Sequence, residues 1–259
     1  MQTPECYAAG YFGIPYCRCK KTACQKDKKR GSVEPHPTFL IPANKEAESL
    51  PIFLNELTSY NCKKMVVLQK EDVETTNSIK DFKDIQIIIQ KKKGYGSALK
   101  EGFENVKTEF FCIINADGSM DPKYLNQMMQ DCQNKDLVFA SRYLKDGGSD
   151  DDNWITFIGN KCFSFLGNLL FNLKLSDILY TYIVGKTYKV KELELKYNDF
   201  RICVEIPIKA KSKKLLFVST PSMERKRIAG VKKVNAVKDG FLILIAIICL
   251  FYKKFFDKN

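Results

Sequence analysis

Between residues 38 and 141 the sequence alternates short apolar runs with segments of helical periodicity, and this alternation limits the possible folds more than any other feature. The apolar runs have strand length: "TFLIPA", "MVVLQ", "IQIIIQ", "EFFCIIN" and "LVFAS". The helical spacing covers residues 47–60, 97–106 and 122–132. Continuous apolar runs such as "MVVLQ" and "IQIIIQ" are typical of buried strands in a parallel sheet that is covered on both faces. We therefore predict an α/β fold with a mostly parallel, Rossmann-like sheet and helices on both faces, whose ligands bind beyond the carboxyl ends of the strands.

The stretch "CIINADGSMDP", residues 112–122, lies at such a strand end. An acid on a glycine-bearing turn, here Asp117, places a carboxylate oxygen at the rim of the crevice with little bulk around it. Carboxylate oxygens hold Mg²⁺ or Mn²⁺, and such an ion stabilises the diphosphate that leaves a nucleotide-sugar. We predict that Asp117 binds this cation, with Ser119 as a helper. Asp121 precedes a proline, which favours a helix N-cap over a metal ligand.

The stretch "KKKGYGSALKEGF" offers a second site for anions. Leu99 stands where a dinucleotide-binding fingerprint would need its third glycine, so that fingerprint is not expected. Gly94 and Gly96 nevertheless permit close backbone approach at a helix start, where free N–H groups favour phosphate. We predict that both glycines contact the nucleotide-sugar that acts as the sugar donor.

Composition favours anionic partners and a reducing compartment. The net charge of +12 suits phosphate-bearing ligands, nucleic acid or an acidic membrane surface. Residues 1–36 carry four cysteines (Cys6, Cys17, Cys19 and Cys24) and the only histidine, His36. Their spacing lacks the paired C-x-x-C of zinc sites, so we expect a poorly ordered basic extension. Few aromatic residues lie among the basic residues of this segment, which gives nucleic-acid binding little support. We therefore expect no nucleic-acid partner.

The other cysteines are scattered, several within apolar runs, and are predicted to be free and buried. No basic start followed by an apolar stretch predicts a signal peptide. We expect a cytoplasmic protein that lies peripherally at the cytoplasmic face of a membrane.

Four fragments, in this order and spacing, resemble the family-two glycosyltransferases of GT-A fold. They are "FLIPANKEAESLPIFLNEL", "KKGYGSALKEGF", "IINADGSMDP" and "DLVFASRYL". The nearest branch by resemblance is that of dolichol-phosphate mannosyltransferases and bacterial polysaccharide glycosyltransferases. The resemblance implies a metal-dependent, inverting hexosyltransferase of cell-surface glycan assembly, with a nucleotide-diphosphate-sugar donor and a polyprenyl-phosphate or glycan acceptor.

The resemblance also implies roles for single residues. Asn115 and Asp117 match the metal motif, with Asn in place of its first acid, and Ser119 matches a further ligand of the lipid-phosphate branch. Arg142 matches an arginine near the phosphates. Asp177 falls near a Ser-Asp element of the family. Arg227 and Lys233, in "RKRIAGVKK", resemble a basic pair that binds donor or acceptor phosphate in that branch. The first-strand turn, where the family holds the nucleotide, is matched by Pro42, Ala43 and Glu46.

Some positions depart from the family pattern. Gln69 stands where an acid usually holds the base and ribose, and Glu71 or Asp72 is left as a substitute. The glycine and arginine that normally follow Asp177 are missing. These departures keep open an alternative, a catalytically silent scaffold or partner subunit.

The acceptor decides whether a base is needed. A hydroxyl acceptor must lose a proton, whereas an acceptor phosphate is already an anion. The loop "SDDDNW" offers Asp150, Asp151 and Asp152 as bases, and Asp151, Asp152 and Asp177, with Arg142, are our candidate catalytic residues. The same three loop acids also suit a solvated loop before a helix.

Beyond residue 141 we predict a helix over residues 155–173 and an apolar terminal helix. The apolar run 241–252 would span about 18 Å against roughly 30 Å of bilayer hydrocarbon, too short to cross alone. It either lies at a membrane interface or docks on the domain. The predicted organisation is thus an extension (1–36), a glycosyltransferase domain (37–235) and a C-terminal apolar helix (236–259).

Overall fold

The computed structural model describes residues 36–256, with side chains as far as residue 254. The four cysteines of the predicted extension lie outside the described residues. Within this range the strands are β1 (Thr38–Pro42), β2 (Lys63–Leu68), β3 (Ile85–Ile89), β4 (Phe110–Ile113), β5 (Leu137–Ser141), β6 (Gly148–Ser149), β7 (Ile183–Lys186), β8 (Phe217–Pro221) and β9 (Met223–Glu224). The α-helices are α1 (Ser49–Glu56), α2 (Val73–Ser78), α3 (Tyr95–Asn105), α4 (Leu125–Cys132), α5 (Trp154–Phe171), α6 (Thr187–Lys191), α7 (Ile202–Ser212) and α8 (Ala236–Phe256).

Seven strands form one sheet in the order β3-β2-β1-β4-β7-β5-β8. All neighbours run parallel except β7, which is antiparallel to both β4 and β5. The remaining two strands, β6 and β9, pair separately as a short parallel ribbon. The predicted mostly parallel α/β sheet is confirmed, and it has one reversed strand in its centre.

Helices cover both faces of the sheet, as predicted. On one face, side chains of α1 and α4 such as Phe53, Leu54 and Met128 are fully buried against the strands. On the other face α3, α7 and α8 supply the apolar contacts, among them Leu99 and Ile206. Burial of each such side chain stabilises the fold by about 1.5–3 kcal/mol, so the two apolar layers fix the sheet and the strand ends that carry the site.

The prediction that "IQIIIQ" is a buried strand was wrong. This segment forms β3, which lies at the edge of the sheet, and Ile87 and Ile89 are 37% and 46% exposed. An edge strand has a neighbour on one side only, so its apolar side chains are incompletely covered. By contrast "MVVLQ", in β2, has both neighbours and is buried from Met65 to Leu68.

The described cysteines are all free. Cys62, Cys112, Cys132 and Cys203 are buried, as expected of small apolar side chains, whereas Cys162 and Cys249 are exposed. Burial raises the pKa of Cys62 to about 11 and that of Cys132 to about 12. These thiols are therefore protonated at neutral pH and serve the core.

The C-terminal helix α8 docks on the domain with one face. Ile243, Ala246 and Ile247 are buried against α5 and α7. The opposite face is open, with Phe241 64% and Tyr252 60% exposed. Among the described residues, no helix is both long enough and apolar enough to cross a bilayer.

Candidate active site

The main cleft lies beyond the carboxyl ends of β1 and β4 and has a volume of about 410 Å³. Most of the residues predicted for the site line this cleft: Pro42, Ala43, Glu46, Gly94, Asn115, Asp117, Ser119, Arg142, Asp151, Asp152, Arg227 and Lys233. A second hollow of about 460 Å³ adjoins it, and the two share Gln69 and Gln90. Pro42 and Lys233, which are 191 positions apart in the chain, therefore meet around one space.

Asp117 turns its carboxylate toward this cleft from the turn after β4. Gly118 takes φ +71, a left-handed conformation that favours glycine, and so reverses the chain directly after the acid. The Ser119 backbone N–H and hydroxyl donate to Asp117 Oδ1 at 3.0 and 2.8 Å. Oδ2 faces Arg227 Nη1 at 3.5 Å. Ser119 thus orients the carboxylate, and Oδ2 is the oxygen available to a ligand.

Asp121 is a cap, as predicted. Its side chain accepts from the Lys123 N–H at 3.0 Å at the start of the 3₁₀ helix Pro122–Tyr124, and it is 7% exposed. It also pairs with the Lys123 ammonium at 3.0 Å. Asp121 does not belong to the cleft lining.

The residue between the two predicted glycines, Tyr95, is part of the site and was missed by the sequence analysis. Its hydroxyl lies 2.6 Å from Thr181 Oγ1 and donates to Asn115 Oδ1 at 3.2 Å. Burial raises the pKa of Tyr95, so the hydroxyl stays protonated. The ring stacks on Phe200 at 5.2 Å, and the cleft wall beside Asn115 is thereby fixed.

Gly94 and Gly96 serve packing, which corrects their predicted role as an open anion site. A Cβ on Gly94 would lie 2.2 Å from the Asn198 carbonyl oxygen, and one on Gly96 would lie 2.6 Å from the Tyr197 carbonyl oxygen. The Asn198 oxygen accepts from the Ser97 N–H at 3.0 Å. The start of α3 is therefore covered by residues 197–199. Gly94 still borders the cleft; Gly96 is not among the lining residues.

Glu46 lines the cleft directly after the first strand. It accepts from the Ser49 hydroxyl at 2.8 Å and faces the Lys233 ammonium at 3.4 Å. Burial raises the pKa of Glu46, although Ser49 and Lys233 oppose the shift. Lys233 thus lies beside the turn after β1, in the part of the cleft that Pro42 and Ala43 also line.

Asp72 does not substitute for the acid that is missing at Gln69. Its carboxylate caps α2 through the Thr75 N–H and accepts from the Lys45 N–H at 2.6 Å. Glu71 and Gln69 do line the second hollow, where Glu71 faces Lys93 at 3.6 Å.

Arg142 and Asp177 form a buried ion pair, which departs from the roles expected of them. Arg142 Nε and Nη2 donate to the two Asp177 oxygens at 2.7 and 3.1 Å. Arg142 Nη1 donates to Glu224 at 3.0 Å and lies 3.6 Å from Asp152. Asp177 therefore holds Arg142. Because Asp177 is 1% exposed and does not line the cleft, its carboxylate cannot reach an acceptor. Arg142 borders the cleft but is already matched by carboxylates.

Glu224 is a second residue that the sequence analysis missed. It lines the cleft from β9 and accepts from the Ser149 hydroxyl at 2.6 Å. Burial raises the pKa of its carboxyl, and Arg142 and Ser149 counteract that shift. No local pattern around this residue distinguishes it from any other acid.

Residues 225–234, which we call the strap, cross the cleft between β9 and α8. Arg225 donates to the Gly118 carbonyl at 2.8 Å, and the Ile228 N–H donates to the Asp117 carbonyl at 2.8 Å. Arg227 Nη2 and Lys232 Nζ both lie 3.1 Å from Asp151 Oδ2. The strap therefore ties the turn at Asp117 to the loop that carries Asp151.

Asp152 is also held in place, by a different partner. Its Oδ2 accepts from the Tyr143 hydroxyl at 2.6 Å, and Asn160 donates to the same hydroxyl at 2.9 Å. The helix that follows, α5, is capped by Asn153 through a reciprocal pair of hydrogen bonds with Thr156, and not by the three acids before it.

A family model described as "Glycosyl transferase family 2" matches residues 38–194. A dolichol-phosphate mannosyltransferase of Pyrococcus furiosus is 25% identical over 195 residues, which are 70% of this chain and 54% of that protein. An uncharacterized glycosyltransferase of Mycobacterium tuberculosis is 28% identical over 106 residues, 40% of this chain and 48% of the relative. The chain thus spans about half the length of these two relatives.

Solved structures share the fold at low identity. Glucosyl-3-phosphoglycerate synthase of Mycobacterium tuberculosis, in complex with Mn²⁺, UDP and glucosyl-3-phosphoglycerate, has a TM-score of 0.65 at 10% identity and covers 85% of this chain and 81% of its own. Mannosyl-3-phosphoglycerate synthase of Rubrobacter xylanophilus has a TM-score of 0.56 at 11% identity, and the match covers 86% of this chain and 75% of the synthase. The family model spans more than half of the chain, and the sheet, the crevice and the acid after β4 agree with it: the protein belongs to glycosyltransferase family 2.

Proposed function

We propose that the protein transfers a sugar from a nucleotide-diphosphate-sugar, with Mg²⁺ or Mn²⁺, to a polyprenyl phosphate, with inversion at the anomeric carbon. The observation that carries this proposal is that an acid and two basic side chains line the same cleft. Asp117 lines it together with the strap cations Arg227 and Lys233, and Arg227 Nη1 lies 3.5 Å from Asp117 Oδ2. A cation site beside fixed basic groups is what a departing diphosphate needs.

The residues around Asp117 fit a divalent cation that is shared with a ligand. Among the described residues no group of three or more Cys, His, Asp or Glu is arranged to hold a metal alone. Mg²⁺ is commonly held by one or two carboxylates, with substrate phosphates and water as its other ligands. Asp117 would supply the carboxylate and bind the cation through Oδ2, while Ser119 orients the side chain. The cation would neutralise charge on the leaving diphosphate.

The donor is proposed from the family and from its relatives. The Mycobacterium tuberculosis neighbour was solved with UDP and Mn²⁺, and the Pyrococcus furiosus relative is a dolichol-phosphate mannosyltransferase. The second hollow beside Gln69 and Gln90 offers space for the base and ribose next to the proposed diphosphate position. Amide side chains both donate and accept hydrogen bonds, so this pocket suits a nucleobase.

A phosphate acceptor is favoured over a hydroxyl acceptor because the acids on the acceptor side of the cleft are engaged. Asp151 is paired with two strap cations, Asp152 accepts from Tyr143, and Glu224 is paired with Arg142. The carboxylate oxygens that would have to take a proton from a hydroxyl acceptor are thus occupied by these contacts. An acceptor that is already an anion needs none.

The lipid part of the proposal rests on an exposed apolar face built by α5 and α8, which pack together. On α5 the exposed apolar residues repeat with helical spacing: Trp154, Ile155, Ile158, Phe165 and Leu169. On α8 they are Val237, Phe241, Leu244, Ile245, Ile248 and Tyr252. The same two helices carry exposed lysines, Lys161 and Lys254, which suit acidic head groups. Thr156 of α5 and Ile243 of α8 line the cleft, so an acceptor could pass from the membrane into it.

We expect the double variant Ile155→Glu/Phe241→Glu to bind vesicles of phosphatidylcholine and phosphatidylglycerol at least about tenfold more weakly than the wild type. Removing two apolar side chains that would be buried in the membrane interface costs more than the 1.4 kcal/mol that corresponds to tenfold. Co-sedimentation measures the bound fraction. Ile52→Glu is the matched control, since Ile52 is 56% exposed on α1, away from this face. Equal losses in both variants, or none in either, would remove the membrane-facing role of α5 and α8.

The transferase proposal is tested with the purified chain, Mn²⁺, a panel of UDP- and GDP-sugars, and undecaprenyl phosphate in detergent. We expect one donor to yield a glycosylated lipid phosphate, identified by mass spectrometry, and EDTA to abolish the product. Transfer to free sugars or glycans with no lipid product would instead assign a hydroxyl acceptor.

The internal pairing of Arg227 with Asp117, together with Asn115 in the metal motif, favours one alternative, a catalytically silent partner subunit. Absence of both transfer and donor hydrolysis for the whole panel would support that alternative.

A further inference from the structure

Asp151 has an arrangement that a catalytic base would not need. One oxygen, Oδ2, receives both Arg227 Nη2 and Lys232 Nζ at 3.1 Å. The two cations therefore converge on a single anionic oxygen. Phosphate oxygens are bound in the same way, by several charge-assisted donors from arginine and lysine.

The short ribbon of β6 and β9 sets the positions of Asp151 and Arg227, and Lys232 Nζ donates to the Asp151 backbone carbonyl at 2.5 Å. Ser149 pairs with Glu224, and the Asp150 N–H donates to the Glu224 carbonyl at 2.9 Å. Asp151 follows directly on one side, and Arg227 lies three residues beyond Glu224 on the other. The cations and the acid are thus brought together by the backbone, independently of any ligand.

The pair between Lys232 and Asp151 is partly open to water, whereas the Arg227 side chain is only 19% exposed. The Lys232 side chain is 39% exposed and that of Asp151 is 18% exposed, at the wall of the cleft. Exposed ion pairs contribute weakly because water and salt screen them. An arriving phosphate, with up to two negative charges, can therefore displace the single charge of Asp151.

Arg227 also reaches the donor side, since its Nη1 lies 3.5 Å from Asp117 Oδ2. Lys233 is held on that side by Glu46 at 3.4 Å. Lys232 contacts only the Asp151 side among the ion pairs of the described residues. The strap cations are thus divided, with Lys233 on the donor side, Lys232 on the acceptor side and Arg227 between them.

We infer that Arg227 and Lys232 form the binding site for the acceptor's phosphate monoester, and that the Asp151 carboxylate occupies this site until the acceptor displaces it. This inference rests on the proposed function and names the subsite and its internal competitor. Asp151 is then a residue that weakens acceptor binding, which is the opposite of what a catalytic base would do.

The test is Asp151→Asn, which removes the charge and keeps the shape. We expect the dissociation constant of geranyl phosphate, measured by calorimetry, to fall about three- to tenfold, because the competing ion pair is gone. Inorganic phosphate should tighten in parallel, which would place the effect at the head group and not at the chain. UDP with Mn²⁺ should change less than twofold. Lys232→Ala should weaken geranyl phosphate and leave UDP with Mn²⁺ unaffected.

Asp146→Asn is the matched control. Asp146 is exposed in the segment between β5 and α5 that also carries Asp151, and its substitution changes the net charge by the same amount. An equal gain in this control would assign the effect to general charge and overturn the inference. Unchanged or weaker binding of geranyl phosphate to Asp151→Asn would also overturn it. Equal tightening of UDP would assign the cations to the donor and overturn it as well. Failure of UDP to bind the wild type would count against the proposed function alone, since the geranyl phosphate arm is read separately.

Discussion

Replacing Asp117 with alanine is expected to lower the turnover number about a thousandfold or more while the fold survives. The carboxylate supplies the protein's oxygen to the proposed cation, and such a cation stabilises the transition state by several kcal/mol, each 1.36 kcal/mol being a factor of ten. The measurement is sugar transfer with the donor identified for the wild type. Circular dichroism and thermal unfolding report on the fold.

Asp121→Ala is the control for this variant. Asp121 lies four residues along the same turn, but its side chain caps the 3₁₀ helix and does not line the cleft. Loss of an N-cap costs about 0.5–2 kcal/mol of stability, with no direct effect on the chemistry. Asp117→Ala with wild-type turnover would refute the site; equal losses of turnover in both variants would indicate damage to the turn in place of lost chemistry.

Replacing Asp177 with asparagine is expected to lower the free energy of unfolding by about 3 kcal/mol or more. Asp177 holds the buried Arg142 guanidinium through two hydrogen bonds, and a buried charge that loses its main partner is costly, about 3–5 kcal/mol. Glu224 and Asp152 remain near Arg142 and place the expected value at the lower end. Urea unfolding of wild type and variant measures the difference.

Asp199→Asn is the matched control, because Asp199 and Arg201 make the same type of paired contact, at 2.8 and 2.7 Å. Their side chains are 35% and 29% exposed, so we expect a loss of about 1 kcal/mol or less. If Asp177→Asn cost no more than this control, the Arg142 cluster would not be a structural element of the fold.

The order of strands and helices up to residue 141 was largely readable from the sequence, because apolar runs and helical spacing reflect burial directly. Beyond that residue only α5 and α8 were predicted, and β7, β8, α6 and α7 were not. The direction of β7 depends on connections that no local pattern records. The edge position of β3 was also unreadable: "IQIIIQ" has the composition of an interior strand, and only the sheet order leaves Ile87 exposed.

Residues of the site were predictable where local chain geometry places them. Asp117 follows a strand and precedes a glycine, and both features are visible in "IINADGSMDP". The structure adds that Gly118 takes a positive φ. Glu224 and Lys232 reach the site through contacts with Arg142 and Asp151 that span 82 and 81 positions. No spacing rule covers such contacts. For Asp177 the resemblance indicated the position, and the structure gives its partner.

The most direct test of the donor site is a calorimetric titration of the wild type with UDP and with GDP, each with Mn²⁺ and with EDTA. We expect one nucleotide to bind in the presence of Mn²⁺ and to bind at least about tenfold more weakly in EDTA, because the diphosphate and Asp117 share the cation. Nucleotide binding of equal strength in Mn²⁺ and EDTA, or no binding of either nucleotide, would contradict this expectation.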